Sequence, residues 1–171
     1  LGKALFFDRR LSARGDISCQ SCHVLAHGGD DDSAVSTGTN GQRGARNAPT
    51  VLNAAGHFRH FWDGRAGDLV AQARGPLLNP LEHGFVDDAA VVKTLSTIKG
   101  YAPLFAAAFG DDAVTVDRVA AAIAAYEREL RTPARYDRWA SGDDAALDDD
   151  ELRGALTFMA TGCLSCHNGP L

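Results

Sequence analysis

The sequence predicts an all-α fold in which long, ordered loops join the helices, and three observations lead to this prediction. Apolar residues recur at helical spacing in the segments after residue 68. No segment alternates apolar and polar residues convincingly over more than four positions, so little or no sheet is expected. The composition, 45% hydrophobic and 23% charged, is that of an ordinary globular protein.

The elements before residue 68 are short. The run Leu5-Phe6-Phe7 predicts a brief helix, and a turn that contains Gly15 leads from it to Cys19. Residues 26–50 are rich in Gly, Asp, Ser, Thr and Asn and have no apolar period, which predicts a long loop. Loops of this length inside a compact domain are usually functional or wrapped around a ligand.

Five apolar stripes at helical spacing predict five further helices. Asp148 and Glu151 have the spacing of a capping box at the start of the last one. The stripes are Leu69, Ala73 and Leu77, limited by Pro76; Val91, Leu95 and Ile98, ended by Gly100; Leu104, Phe105 and Phe109, closed by Gly110; Val119, Ile123, Tyr126 and Leu130, between Thr115 and Pro133; and Leu152, Leu156 and Met159.

The distribution of these helices predicts two unequal domains. Residues 1–133 can bury a core of their own, residues 134–150 have the composition of a linker, and residues 151–171 begin a second domain. That second segment holds a single helix, which cannot form a core alone, so we expect it to be truncated. Because the chain begins at Leu1 rather than at Met, we expect a processed or excised piece.

The charge balance excludes some functions. With 17 Lys and Arg against 22 Asp and Glu, the net charge is −5, whereas a nucleic-acid-binding protein needs a clustered excess of basic residues. No apolar run approaches the roughly 20 residues of a membrane span.

The four cysteines carry the most information, because they form two pairs that are each followed directly by a histidine. This Cys-x-x-Cys-His pattern is that of covalent c-type haem attachment. Two thiols three residues apart on a helical turn can each add to one vinyl group of the porphyrin, and the adjacent imidazole then ligates the iron. The sequence therefore predicts two haem c groups, at Cys19-Gln-Ser-Cys22-His23 and at Cys163-Leu-Ser-Cys166-His167.

Other uses of the cysteines fit less well. The two pairs of a structural zinc site are usually separated by a short loop, whereas Cys19 and Cys163 are 144 residues apart. A thioredoxin-like redox pair needs a strand before it, and neither pair follows a strand-like run. Simple disulfides would leave the two adjacent histidines unexplained.

Several further segments occur in the order and spacing of one known family. They are Gly2-Lys-Ala-Leu-Phe-Phe-Asp8, Arg46-Asn-Ala-Pro-Thr-Val-Leu-Asn53, Phe61-Trp-Asp-Gly-Arg-Ala66, Gln72 and Pro80-Leu-Glu82. Together with the two haem motifs, they resemble the bacterial dihaem cytochrome c peroxidases, whose layout the MauG-like enzymes share. The resemblance covers essentially the whole chain. It implies cytochrome c-like haem domains, with most of the second domain missing.

The resemblance also implies roles for single residues. The haem on His23 is the one that reacts with peroxide, and the haem on His167 receives the electrons. Glu82 matches the distal acid–base carboxylate, Gln72 the distal amide, Trp62 the tryptophan between the haems, and Asn47 a calcium ligand. From its charge, Arg65 can pair with a haem propionate.

Each assignment has a plainer alternative. Glu82 alone would be a surface carboxylate, Gln72 a solvated helix position, Trp62 a core residue, Arg65 part of a surface ion pair and Asn47 a turn residue.

The chain departs from the family at one position. Peroxidases that need reductive activation carry a histidine where this chain has Thr39, and residues 28–56 contain no histidine. We therefore expect the first haem to be five-coordinate in the oxidised protein. His57, His60 and His83 are expected to be solvated or hydrogen-bonded, with His83 close to the distal pocket. Met159 is expected to pack in a core, and the sixth ligand of the second haem to lie beyond Leu171.

The resulting hypothesis is a periplasmic enzyme that reduces hydrogen peroxide to water. Its electrons would come from a small cytochrome or copper protein. A MauG-like oxidase that acts on a protein or organic substrate is the first alternative, and a non-catalytic dihaem electron carrier is the second. Members of the family are often homodimers, which no residue pattern here indicates.

Overall fold

A computed structural model describes residues 1–167. Its eight helices are α1 (Gly2–Phe7), α2 (Cys19–Cys22), α3 (Leu69–Leu78), α4 (Asp88–Ser96), α5 (Tyr101–Phe109), α6 (Val116–Glu127), α7 (Arg135–Ala140) and α8 (Asp149–Ala160). Single turns of 3₁₀ helix lie at Leu25–His27, Thr39–Gly41, Ala54–Gly56 and Cys163–Ser165. Within the described residues, β pairing is limited to the isolated bridges Thr37–Arg43 and His60–Ala66. The prediction of an all-α fold is confirmed.

The chain divides after Leu130 into two compact units. The predicted linker 134–150 contains helix α7, which the sequence analysis did not predict because its residues form no apolar stripe. The Asp137 carboxylate accepts a hydrogen bond from the Ala134 amide at 2.6 Å and so starts this helix. The domain bounds 1–133 and 151–171 stay a prediction, and positions 168–171 lie outside the described residues.

The core of the first unit forms where α6 packs against α1 and α3. Leu5 and Phe6 of α1 are fully buried, as are Val119 and Ala120 of α6. Leu77 of α3 joins the same cluster. The alanines on α6 have small side chains, so the neighbouring helices can approach its backbone closely.

Helix ends follow local chemistry, with small differences from the predicted bounds. Thr115 caps α6, with its hydroxyl accepting from the Arg118 amide at 3.2 Å, and the capping box of Asp148 and Glu151 is present at α8. Pro76 lies inside α3, two residues before its end. Ile98, predicted as the last residue of the second apolar stripe, follows the end of α4.

The second unit contains α7 and α8, and neither helix has a buried residue. No residue of α8 is buried, and its large apolar residues Leu156, Phe158 and Met159 are exposed. The prediction that Met159 packs in a core is wrong for the described residues, because its side chain is exposed on a helix that buries no residue. Among residues 1–167, no helix is both long and apolar enough to cross a membrane.

The crossing of α1 and α6 generates the first prediction. A Cβ atom at Gly2 would lie 1.9 Å from the carbonyl oxygen of Ala122, so the Gly2→Ala variant has to move the helices apart. We expect a loss of about 1–3 kcal/mol in the free energy of unfolding, measured by chemical denaturation. Gly100→Ala is the matched control, because a Cβ at that position meets no atom within 4 Å. Equal stability of the two variants would show that the crossing does not require a glycine.

Candidate haem site

Helix α2 is a single turn, and it presents the first cysteine pair. Ser18 caps it, and the Ser21 hydroxyl accepts from the Ser18 amide at 2.9 Å. Cys19 and Cys22 are three residues apart on this turn and therefore share a face. The His23 amide donates to the Cys19 carbonyl at 2.9 Å, which places the imidazole directly after the second thiol.

The long loop predicted over residues 26–50 surrounds the His23 imidazole. Its Nδ1 lies 3.0 Å from the Pro49 carbonyl oxygen and 3.3 Å from that of Gly29. Because carbonyl oxygens only accept hydrogen bonds, Nδ1 carries the proton and Nε2 holds the free lone pair. Burial also lowers the pKa of His23, which favours the neutral ring. An imidazole anchored in this way is the usual arrangement of a metal-ligating histidine.

Close packing of two loop segments holds these carbonyls in place. Gly29 has a φ of +84°, and a Cβ there would lie 2.7 Å from the Thr50 hydroxyl. That hydroxyl donates to the Gly28 carbonyl at 2.5 Å. A glycine is therefore required at position 29 both by its backbone conformation and by the space available.

The pocket next to His23 brings together five of the residues selected from the sequence, namely Cys19, Cys22, His23, Gln72 and Glu82. Helix α3 supplies Gln72 from one face, together with apolar residues one turn away. The remaining lining residues are Ile17, Ser18, Ala73, Pro76, Leu77, His83, Ile123 and Glu127. The pocket thus has an apolar wall, two thiols, one imidazole ready to bind a metal, and a small number of polar groups.

Glu82 is held by a turn that directly follows α3. Asn79 Nδ2 donates to Glu82 Oε1 at 2.6 Å, and the Glu82 amide donates to the Asn79 carbonyl at 2.9 Å. Burial raises the pKa of Glu82, while the hydrogen bond from Asn79 and the charge of Arg65 oppose that shift. The surface-carboxylate alternative is therefore disfavoured, and Glu82 is a partly dry carboxyl group suited to proton exchange.

Two further titratable residues line the pocket. His83 is buried, and its Nδ1 bonds the Leu11 carbonyl, so its Nε2 is the lone-pair nitrogen, 4.0 Å from Cys19 Sγ. Glu127 on α6 is only 4% exposed, and its Oε2 has no hydrogen-bond partner. Burial raises the pKa of Glu127 to about 7.

These residues fit a covalently attached haem c. The Cys19 and Cys22 thiols are both free, His23 has the tautomer that ligates iron, and the facing surface is mainly apolar. Burial raises the pKa of Cys19 to about 12, which disfavours the thiolate that a zinc site needs.

The second motif repeats the local backbone of the first. Cys163–Ser165 forms a 3₁₀ turn, and the His167 amide donates to the Cys163 carbonyl at 2.9 Å, the same distance as in the first motif. Cys166 is exposed, unlike Cys19 and Cys22, which are half-buried. The Phe158 ring lies 6.1 Å from the His167 ring.

Trp62, Arg65 and Asn47 are not among the residues that line the pocket. Trp62 is 65% exposed, so the alternative of a plain core residue is wrong, and its Nε1 donates to the Asn47 carbonyl at 3.0 Å. Arg65 pairs with Asp63 at 2.7 Å. Arg46 pairs with the same carboxylate at 2.8 Å, so this exposed cluster keeps one positive charge. The electron-bridge role of Trp62 and the propionate role of Arg65 stay predictions.

The side chain of Asn47 makes a hydrogen bond within the protein. Its side-chain nitrogen donates to the Ser33 carbonyl at 2.8 Å. Among the described residues, no group of three His, Cys, Asp or Glu side chains could hold a metal ion. Calcium at Asn47 stays a prediction.

The sequence analysis missed Asn79 and Glu127. Glu127 could have been found, because it falls four residues after Ile123 on the apolar face of α6, where a carboxylate is unexpected. Asn79 gave a weaker signal, since an asparagine before Pro80 is typical of any turn.

The geometry agrees with comparisons to known proteins. The profile of the family described as di-haem cytochrome c peroxidase matches residues 1–145. The chain belongs to this family. It is 48% identical over 171 residues to the cytochrome c551 peroxidase of Nitrosomonas europaea, covering 99% of this chain and 51% of that protein. It is 43% identical over 171 residues to the methylamine utilization protein MauG of Methylorubrum extorquens, covering 98% of this chain and 48% of that one.

Solved structures of the family have the same fold. A MauG-like protein associated with microbial copper homeostasis superposes with a TM-score of 0.87 at 31% identity, covering 98% of this chain and 51% of that one. The diheme peroxidase BthA of Burkholderia thailandensis gives 0.77 at 29% identity, covering 97% and 48%. The chain spans about half the length of the curated relatives that it matches. Membership of the family implies haem c as the cofactor.

Glu127 generates a prediction on stability. Its pKa is about 7 in the folded protein and 4.5 when unperturbed, so the unfolded chain ionises first as the pH rises. The contribution of Glu127 to the free energy of unfolding is therefore fully present below pH 4.5 and is lost as the pH rises through 7. Glu127→Gln removes this loss, and we expect the holoprotein to gain about 3 kcal/mol near pH 8 and almost nothing near pH 5, measured by denaturation at equal haem content. The exposed Glu129→Gln is the control, and a Glu127→Gln gain that did not vary with pH would contradict the assignment.

Proposed function

We propose that the whole protein is a dihaem cytochrome c peroxidase that reduces hydrogen peroxide to water. The observation that carries the proposal is the placement of the Glu82 carboxyl in the same pocket as His23, whose Nε2 is free to bind iron. A carboxyl group beside an open iron site is what peroxide reduction requires, because protons must move between the two oxygen atoms. The curated peroxidases among the relatives support the same conclusion.

When bound at His23, haem supplies the iron at which peroxide is reduced and the capacity to hold electrons. Glu82, whose pKa is raised by burial, takes a proton from the nearer peroxide oxygen and returns it to the leaving oxygen. Asn79 fixes the orientation of that carboxyl group through its 2.6 Å hydrogen bond. Gln72 offers an amide on the same side of the pocket, and the apolar wall limits the access of water.

Electron supply is the less constrained part of the proposal. We propose that the haem at Cys163, Cys166 and His167 receives single electrons from a small cytochrome or copper protein, and that Trp62 serves the transfer to the first haem. C-type attachment takes place outside the bacterial cytoplasmic membrane, which supports a periplasmic location. A calcium ion at Asn47 and a homodimer follow from the resemblance alone, and a propionate partner at Arg65 follows from its charge.

A MauG-like oxidase is the second candidate. Identity to MauG from Methylorubrum extorquens is 43%, close to the 45% shared with the cytochrome c551 peroxidase of Pseudomonas aeruginosa. The two candidates differ in whether a reduced cytochrome or an organic substrate is oxidised. Steady-state assays of the holoprotein with each kind of reductant separate them, and also separate both from a non-catalytic electron carrier.

The Glu82→Gln variant tests the peroxidase proposal. Glutamine keeps the volume of the side chain but cannot exchange a proton, so we expect peroxide turnover to fall by about 10²- to 10⁴-fold with haem content unchanged. Turnover is measured with a reduced cytochrome, and haem content by the mass of the intact protein. Glu129→Gln, an exposed carboxyl change, serves as the control and should retain full activity. Undiminished turnover in Glu82→Gln would remove this residue from the mechanism.

The coordination of the first haem gives another prediction. Thr39 stands where activatable family members place a histidine, and its hydroxyl donates to Asp16 at 2.7 Å, so it offers iron no ligand. We expect a high-spin electron paramagnetic resonance signal from this haem in the fully oxidised holoprotein. A low-spin signal with two nitrogen ligands would contradict the prediction. If that signal vanished in His83→Gln, it would identify His83 as the second ligand.

A further inference from the structure

Three segments that are far apart in the sequence meet at Glu82. They are the residues around Asp16, the loop at Thr39 and Asn40, and the turn of Glu82 itself, and the Asp16 carboxylate joins the first two. Asp16 Oδ1 accepts from the Thr39 hydroxyl at 2.7 Å, and Asp16 Oδ2 accepts from the Asn40 amide at 2.8 Å. Asn40 adopts the left-handed conformation, with φ of +57°, and so turns its amide toward the carboxylate. We call Asp16, Thr39 and Asn40 the Asp16–Thr39 brace.

The brace is connected directly to Glu82. The Thr39 amide donates to the Glu82 carbonyl at 2.8 Å, and Thr39 is only 5% exposed. One residue therefore bonds Asp16 through its side chain and Glu82 through its main chain. It is a direct main-chain link between the loop of Thr39 and the turn of Glu82.

Tight packing fixes the same contact. A Cβ at Gly38 would lie 2.0 Å from the Leu81 carbonyl oxygen, and a Cβ at Gly84 would lie 2.6 Å from Thr39 Cγ2. The loop and the turn thus touch on both sides of the hydrogen bond. A displacement of Thr39 has to be transmitted to Glu82, because no space is left between them.

We propose that Thr39, held by Asp16, is the positioning residue that fixes the Glu82 carboxyl group within the pocket of His23. This inference rests on the proposed function, because it assigns Glu82 as the group that moves protons. Asp16 acts at a distance and touches no reacting atom. The hydrogen bonds from Asn40 and Thr39 lower the pKa of Asp16, so the brace remains charged and intact at neutral pH.

The variants Thr39→Val and Thr39→Ser provide the test. Valine keeps the shape of threonine and the amide hydrogen bond to Glu82 but loses the hydroxyl that bonds Asp16, whereas serine keeps that hydroxyl. We expect kcat of the holoprotein to fall about tenfold in Thr39→Val, its pH profile to shift, and Thr39→Ser to retain most of the parent activity. Thr97→Val is the matched control, because it removes a hydroxyl that donates to a backbone carbonyl in an exposed position, at 2.7 Å.

A readout that does not depend on turnover accompanies the kinetics. Hydrogen–deuterium exchange of the Thr39 amide reports on its bond to Glu82, and we expect faster exchange in Thr39→Val and in Asp16→Asn than in the parent. The Thr39→Val change is also placed in the Glu82→Gln background. There we expect no further loss of turnover, because the residue that the brace positions is already inactive.

The outcomes separate this inference from the proposed function. If Glu82→Gln loses activity while Thr39→Val and Thr39→Ser behave alike in kcat, pH profile and exchange, the brace has no positioning role and the peroxidase proposal stands. If the parent holoprotein lacks peroxide turnover, the proposed function fails, and with it the catalytic meaning of the brace. Faster exchange confined to Thr39→Val and Asp16→Asn would then support a structural tie only.

Discussion

The arrangement of the first unit depends on one constraint, the neutral His23 imidazole whose Nδ1 proton is held by two backbone carbonyls. These acceptors, at Gly29 and Pro49, lie 20 residues apart in a loop whose regular structure is limited to one 3₁₀ turn and one isolated bridge. That loop must therefore be ordered before the free Nε2 can point into the pocket. A segment without an apolar period gains its order from this tie and from the contact of Gly29 with Thr50.

The pocket contains two carboxyl groups with different surroundings. Glu82 has a hydrogen-bond donor in Asn79 and is partly exposed. Glu127 lies deeper on α6, where its Oε2 has no partner. Burial raises the pKa of both groups. A hydrogen bond from Asn79 opposes the shift at Glu82, whereas at Glu127 only the charge of Arg128 opposes it. Glu82, with its donor and its partial exposure, is suited to repeated proton transfer. The buried Glu127 mainly lowers stability near neutral pH.

Much of the fold could be predicted from the sequence, because helices such as α6 have a clear apolar period and a capping residue in Thr115. The attachment of haem was also predictable, since Cys-x-x-Cys-His is a local pattern set within one helical turn. Helix α7 could not be predicted, because a six-residue segment whose large apolar residues are Tyr136 and Trp139 is too short to establish an apolar period. The link from Thr39 to Glu82 joins loops that are more than 40 residues apart, and such a contact leaves no periodic trace in the sequence. The hydrogen bond from Asn79 to Glu82 is local, but its sequence signal is that of any turn.

The two haem motifs share a backbone hydrogen bond, but their surroundings within the described residues differ. Each motif ends in the same hydrogen bond from the histidine amide to the first cysteine carbonyl. Around His23, a loop supplies the carbonyls and α3 and its following turn supply Gln72 and Glu82. Around the second motif, α8 presents exposed apolar residues and no buried one. The carboxyl and amide groups gathered at the first motif are what the proposed peroxide reduction requires, because protons have to move there along with electrons.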